Sequence, residues 1–202
     1  LDALPIKQYL KKNNKWYERY VQKKNNCYNF INISSNIRNL EKEINFKISE
    51  KQEFIEISIE EMKIIKKLNK IISNEGGCML FIDYAYNSKK MQDTLQSVKK
   101  HKKVNIFKYV GKSDITHLIN IPNLKKIAKK LNLNVNYTSQ RNFLLNLGIL
   151  QRAQILSANK NFLEKANIYY RINRLIDKNK MGEIFKVFYI HTKNKKFNTG
   201  FE

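Results

Sequence analysis

Hydrophobic positions change their period several times along the chain, and each change predicts an element. Ile64, Ile65, Leu68, Ile71 and Ile72 recur at the spacing of one helix face. Ser58 followed by Glu61 forms a capping box at the start of that stretch. Gly76-Gly77 tolerates the left-handed conformation of a helix end, so a helix over 59–73 is predicted. Cys78 to Ile82 is then a continuous apolar run of strand length that ends on Asp83 and Tyr84. A strand apolar on both faces predicts burial on both faces, the habit of a central strand in a parallel sheet flanked by helices. Ligands in such sheets bind beyond the carboxyl ends of the strands, which makes Asp83 and Tyr84 candidate site residues. The plainer alternative is a core strand whose terminal Asp starts a turn.

Elsewhere the pattern alternates between the two periods. Leu1 to Pro5 reads as the exit from a strand, and Ile6 and Leu10, four apart, as a helical turn. Trp16 to Val21 and Cys27 to Ile33 are aromatic and β-branched and predict a hairpin around the polar turn Lys23 to Asn26. Ser34 to Lys51 supports no assignment. Asn87 to Val110 lacks periodicity and reads as a long surface excursion with Lys99 to Lys103 as its charged centre. Asp114, Thr116 and Asn120 are candidate caps around a short segment, and Pro122 suits the first turn of a helix carrying Leu124, Ile127, Ala128 and Leu131. Leu133, Val135 and Tyr137 alternate as in a strand. Three helices follow, Gln140 to Leu147 ending at Gly148, Leu150 to Ala158, and Phe162 to Asp177. Ile184 to Ile190 is a late strand, and 191–202 a polar tail. Helices interleaved with strands give an α/β class, and uniform composition marks no internal boundary.

Charge changes the picture less than its size suggests. Lys and Arg total 39 against 17 Asp and Glu, a formal +22. The excess is mostly Lys, is scattered, and accompanies abundant Asn and Ile, so a solvated basic surface is favoured over a nucleic-acid site. Cys27 and Cys78 form no CxxC and the three His are isolated, so neither a metal site nor a disulfide framework is expected. No run approaches the roughly 20 apolar residues of a membrane span. The six Gly, at 76, 77, 111, 148, 182 and 200, contain no G-x-G, which excludes a complete Rossmann-like cofactor loop or a P-loop within these residues. The opening Leu1-Asp-Ala-Leu-Pro5 is turn-like with no element before it, and is read as the continuation of a longer protein.

Taken as a series, the motifs resemble the MidA-type family of S-adenosylmethionine-dependent methyltransferases, which includes the mitochondrial protein-arginine methyltransferase that assists respiratory complex I assembly. The matches run in order: Asp2-Ala-Leu-Pro5 with Gln8; Trp16 with Glu18-Arg19 and Val21; Glu56 with Ser58; Gly77 with Leu80 and Ile82-Asp-Tyr84. They continue through Asp93-Thr-Leu95, His101, Gly111, Asp114-Ile-Thr116, Gln140 with Phe143-Leu144, Leu147-Gly-Ile149 with Arg152, and Met181-Gly182 with Phe185-Lys-Val187. The resemblance implies the carboxyl-terminal half of a class I, Rossmann-like methyltransferase sheet over residues 1–190, with family-specific helices and a hairpin. It implies S-adenosylmethionine as cofactor, with an incomplete site because the first three strands and their glycine-rich loop are absent. Ala85, Gln96, Val110 and Asn120 depart from the family's usual Gly, Arg, Pro and Asp.

For arginine methylation the resemblance places Asp2 nearest the methyl acceptor, with Asp83 and Tyr84 beside it and Asp114, Thr116 and Gln140 in the acceptor cleft. Carboxylates there orient the guanidinium and favour its nucleophilic form. The implied partners are a protein substrate, a complex I subunit, and a separate amino-terminal segment; the implied setting is a bacterial cytoplasm or the mitochondrial matrix. A chain of this kind is expected to be inactive alone. Two other readings stand beside it, a non-catalytic assembly scaffold and a basic nucleic-acid binder.

Overall fold

The computed structural model describes residues 1–192 and 198–201. They group into two compact units, 1–66 with 87–122, and 67–86 with 123–202.

The first unit opens with three antiparallel strands, β1 (Lys7–Lys12), β2 (Lys15–Lys24) and β3 (Cys27–Ser34). Both connections are two-residue turns, Asn13-Asn14 and Asn25-Asn26, with positive φ at every position. That is the geometry whose twist matches a hairpin, and Asn adopts it more readily than other residues bearing a Cβ. The helical turn expected over Ile6 to Leu10 is therefore corrected. Lys7 to Leu10 lie in β1 and Ile6 just precedes it, because pairing on both sides outweighs a single apolar i,i+4 pair. Helix α1 (Ile37–Ile44) occupies the stretch that supported no assignment, capped by the Asn36 side chain, which accepts from the Arg38 N–H.

Strand β4 (Phe54–Ile57) then pairs with β1, giving the order β3-β2-β1-β4. Period-2 alternation assigns the two faces of this sheet to different tasks. Tyr9, Ile55 and Ile57 point to one side and form a core with Leu40 and Ile44 of α1. Gln8 and Glu56, opposite each other, point to the other side.

Helix α2 (Ile59–Glu75) starts in the first unit, where the Glu61 N–H donates to Ser58 Oγ at 3.1 Å, and ends in the second. Of its apolar stripe Ile65 and Ile72 are buried, while Ile64, Leu68 and Ile71 are exposed. Back in the first unit, the stretch read as a structureless excursion carries β6 (Gln96–Lys99) and β7 (Lys102–Val104), joined at Lys100-His101. With β8 (Asp114–Thr116) they make a sheet of order β7-β6-β8. Asp114 and Thr116 are thus strand residues rather than caps, and the Asn120 side-chain amide donates to the Ser88 carbonyl at 2.9 Å. The two-residue strand β9 (Ile119–Asn120) leads into α3 (Ile121–Lys130).

The second unit is built on β5 (Cys78–Tyr86), β10 (Leu133–Ser139) and β11 (Phe185–Thr192). β11 runs between the other two and antiparallel to both. It is the strand buried on both faces, with Val187, Phe188, Tyr189, Ile190 and His191 all buried. The expectation of double burial in a parallel setting for Cys78 to Ile82 is corrected: β5 pairs antiparallel with β11, and Leu80 and Ile82 are 55% and 45% exposed. Phe81, Phe188 and Tyr137 line up across the three strands on one face, at ring separations of 4.9 and 6.2 Å, with the Lys125 ammonium of α3 over Tyr137.

On the opposite face Tyr189 meets Phe201, and Phe201 meets Phe143 of α4 (Gln140–Asn146). Helices α5 (Ile149–Ser157), α6 (Phe162–Ile176) and α7 (Met181–Ile184) complete the unit. Of the expected polar tail, 193–197 and 202 lie outside the described residues; 198–201 form a turn closed by the Phe201 N–H on the Asn198 carbonyl.

Candidate functional site

The polar face of the first sheet carries a row of side chains set by register. Gln8 of β1 lies opposite Glu56 of β4, and one position beyond the Tyr9↔Glu18 pair Arg19 of β2 falls in the same row. Gln8 Nε2 donates to Glu56 Oε2 at 2.6 Å, and Arg19 Nη1 donates to Gln8 Oε1 at 3.0 Å. Gln8 and Glu56 are buried. A carboxylate removed from water in this way is tolerated only when its oxygens are hydrogen-bonded.

The segment after β5 supplies the remaining donors and acceptors. Asp93 accepts from Gln8 Nε2 at 2.9 Å and pairs with Arg19 Nη1 at 2.5 Å. The Thr94 hydroxyl donates to Glu56 Oε1, and the Thr94 N–H donates to Glu56 Oε2 at 3.2 Å. The Arg19 guanidinium also lies 5.1 Å from the Phe30 ring centre and 5.5 Å from that of Phe54, so its plane is held by rings as well as by acceptors. With three donors on its two oxygens, Glu56 is suited to positioning its neighbours rather than to moving a proton.

From Thr94 the network leads to the backbone of the loop that carries Asp2. Thr94 Oγ1 accepts from the Leu118 N–H at 2.8 Å, and the adjacent His117 N–H donates to the Asp2 carbonyl at 2.9 Å. The Leu1 to Leu4 turn, closed by the Leu4 N–H on the Leu1 carbonyl at 3.1 Å, is thereby tied to the segment leaving β8. Thr116, the last residue of β8, accepts from Gln96 Nε2 at 3.2 Å. Of the residues expected at the site, Asp2 and Thr116 are thus brought to one place, while Asp114 stands exposed at the other end of β8.

In the second unit Asp83 is buried and its Oδ1 accepts the Tyr84 N–H at 2.8 Å, while the Tyr84 ring lies 4.1 Å from Phe185. Gln140 is buried, and its Nε2 donates to the Leu175 carbonyl at 2.9 Å. Arg141 Nη1 donates to the Ile176 carbonyl at 2.7 Å. Both satisfy carbonyls at the end of α6, which are left without partners inside the helix.

Gln8, Arg19, Glu56, Asp93 and Thr94 carried no assigned role in the sequence, although each belongs to a matched motif. The signal for them was that five polar residues in four separate motifs stand where a strand or turn does not require them.

Among the described residues no group of three His, Cys, Asp or Glu is placed to hold a metal ion. The glycines with positive φ are 76, 77, 111, 148 and 200; the single adjacent pair leads from α2 into β5. That is helix to strand, the reverse of the strand-to-helix turn that cradles a nucleoside or phosphate. Among the described residues, no glycine with positive φ stands at a strand-to-helix turn.

A family profile described as putative S-adenosyl-L-methionine-dependent methyltransferase matches residues 1–139. The mitochondrial protein arginine methyltransferase NDUFAF7 of Danio rerio is 29% identical over 188 residues, 93% of this chain and 44% of that protein. Its Caenorhabditis elegans homolog is 26% identical over 210 residues, covering 98% of this chain and 47% of that protein. A COG1565 superfamily member from Burkholderia thailandensis, crystallised with S-adenosyl-homocysteine, superposes with a TM-score of 0.76 at 24% identity. The superposition covers all of this chain and 52% of that one. The chain spans about half the length of the curated relatives it matches. The structural likeness shows the fold, a Rossmann-like methyltransferase arrangement in which β5, β11 and β10 form one end of the sheet.

Proposed function

The chain belongs to the S-adenosyl-L-methionine-dependent methyltransferase family whose profile it matches, and on that premise we propose that it takes part in methylating a protein arginine side chain. Residues 1–190, with His191 and Thr192 completing β11, are the acceptor-handling, carboxyl-terminal part of one methyltransferase domain, and the cofactor cradle is supplied by residues outside these 202. The proposed acceptor is a subunit of respiratory complex I, and the proposed compartment is the one named for the relatives, the mitochondrion.

The observation that carries this reading is the hydrogen-bond relay from Arg19 through Gln8, Glu56 and Thr94 to the His117–Asp2 contact. It joins residues of the Gln8, Arg19, Glu56 and Asp93-Thr motifs to the loop that carries Asp2. Asp2 orients the acceptor guanidinium and takes its proton as the nitrogen becomes a nucleophile. Glu56, Gln8 and Thr94 are positioning residues that hold the Asp2 loop. For Asp83 and Tyr84 the role rests on position, at the carboxyl end of β5.

The test is calorimetric titration of S-adenosylmethionine into the chain with and without a companion segment containing a G-x-G strand–loop–helix, followed by methyl transfer to an arginine peptide. Binding and transfer are expected with the segment present, and Asp2→Asn should lower transfer by about 10²-fold or more with cofactor affinity unchanged. Cofactor binding to the chain alone would overturn the division of labour. Transfer unaffected by Asp2→Asn would remove Asp2 from the reaction. A second reading, a non-catalytic assembly scaffold, is favoured by the missing glycine-rich loop and requires that no cofactor bind in either case.

A further inference from the structure

β3 stands at one end of its sheet, and among the described residues β2 is its only strand partner. The two-residue turn at Asn25-Asn26 makes Lys24↔Cys27 the closing, mutually hydrogen-bonded pair. The Ser35 N–H on the Trp16 carbonyl, at 2.9 Å, keeps the same parity at the far end of the strand. Alternation therefore directs the backbone N–H and C=O groups of Tyr28, Phe30, Asn32 and Ser34 away from β2, toward the open edge. The strand, CYNFINIS, contains no charge, no Pro and no Gly, so it lacks the devices that usually blunt an edge.

Toward the hairpin tip the surroundings of this edge are basic, while at its other end Glu18 stands opposite Ile33 and Asp93 pairs with the Arg19 that lies over Phe30. No Asp or Glu occurs from Arg19 to Leu40 or from Thr94 to Ser113. The rings of Tyr28 and Phe30 pack on Phe107 at 6.4 and 4.8 Å, which brings the second of these segments against the hairpin. Lys99, at the end of β6, lies 3.7 Å from the Tyr109 ring centre, and Lys108 faces the same ring. Lys23 and Lys24 flank the hairpin tip.

We propose that β3 is a docking edge for an extended, acidic segment of a partner protein, which pairs with the outward groups of Tyr28, Phe30, Asn32 and Ser34. The partner's carboxylates face Lys23, Lys24 and the lysines of the β6–β7 hairpin. Strand addition draws affinity from main-chain hydrogen bonds and selectivity from the side chains beside them. Charge selects the occupant. A second copy would set +22 against +22. A single-stranded nucleic acid needs open ring faces to stack on, and here Tyr28 and Phe30, the latter 39% exposed, each pack on Phe107 while Lys23 and Lys99 lie over tyrosine rings. The inference stands apart from the methyltransferase reading, since it concerns what the hairpin holds and not what is methylated.

Fluorescence anisotropy on the full chain tests it with four labelled probes: a short alternating Glu-Val peptide, its Lys-Val counterpart, the Glu-Val peptide N-methylated at alternate amides, and an oligouridylate of similar length. The Glu-Val peptide is expected to bind, with N-methylation weakening it roughly tenfold or more through lost main-chain bonds and with no binding of the Lys-Val peptide. Asn32→Pro removes an outward N–H without touching the ladder to β2 and should give a similar loss. Lys23→Glu combined with Lys24→Glu should weaken binding and flatten its salt dependence. Equal binding of the N-methylated peptide would overturn the proposal. So would preferential binding of the oligouridylate, or self-association of the chain that Asn32→Pro abolishes.

Discussion

The two units use their sheets in opposite ways. In the first, one face of β1 and β4 buries Tyr9, Ile55 and Ile57 against α1, while the other face holds Gln8 and Glu56 in a network with Arg19, Asp93 and Thr94. In the second, β11 is apolar toward both sides, and its contacts are rings across strands and from the turn at Phe201. Apolar packing tolerates adjustment in small steps, whereas a buried carboxylate with three donors tolerates none, because each lost partner leaves a polar group stranded. The first unit therefore has geometry to lose, and the second mainly has volume.

The largest effect expected from this contrast is at Glu56. Glu56→Ala takes one of the two acceptors of Gln8 Nε2 and strands the Thr94 N–H and hydroxyl, and should cost about 3–5 kcal/mol, read as a lowered urea midpoint. The next is steric and lies in the second unit. A Cβ on Gly182 would come within 2.5 Å of the Ile176 carbonyl oxygen, so Gly182→Ala should destabilise by about 2–3 kcal/mol in the same assay. Gln140→Met keeps the volume but removes one bond to Leu175, and about 1–2 kcal/mol is expected. If Gln140→Met proved as damaging as Glu56→Ala, the contrast between the units would collapse.

The smallest effect is confined to high pH. Burial first, then Glu18 beside it, raises the Tyr9 phenol well above its ordinary value of 10.0. A phenol raised in the folded state contributes stability that is fully present below pH 10 and is lost as pH rises, because the unfolded chain releases the proton first. Tyr9→Phe should leave the apolar core in place and show a weaker decline in melting temperature above pH 10 than the parent. An identical alkaline decline would mean that Tyr9 does not carry this dependence.

Much of the architecture was legible because local signals and tertiary demands agreed. The Ser58 cap and the glycine pair bound α2 within two residues of expectation, and alternation found β10. The hairpin of β2 and β3 was visible in its β-branched and aromatic residues, although the turn is Asn25-Asn26 alone. Signals failed where context decided. Lys100-His101 makes a two-residue turn with φ of 49° and 61° in residues that do not advertise it, so β6 and β7 were hidden in a basic stretch. The continuous apolar run of β5 looked like double burial, but its neighbour β11 takes that place, with a mixed pattern of Lys186 and His191 among apolar residues. At the site, sequence singled out the carboxylate of Asp2 but not its support, since hydrogen bonds spanning 38 to 85 residues leave no periodic trace.

The position of β11 also bears on how the molecule is made. β1, β2 and β3 follow one another with two-residue connections, so each can pair as soon as it clears the ribosome. Among the described residues β11 is the last strand in sequence and is the one that joins β10 to β5, whose Cys78 must wait for His191. Pairings so distant in sequence form slowly, and strands left unpaired meanwhile are prone to wrong partners. During translation the second unit thus passes through a long interval with Met79, Phe81, Val135 and Tyr137 uncovered. A chaperone that shields nascent chains should matter more to this half of the protein than to the other.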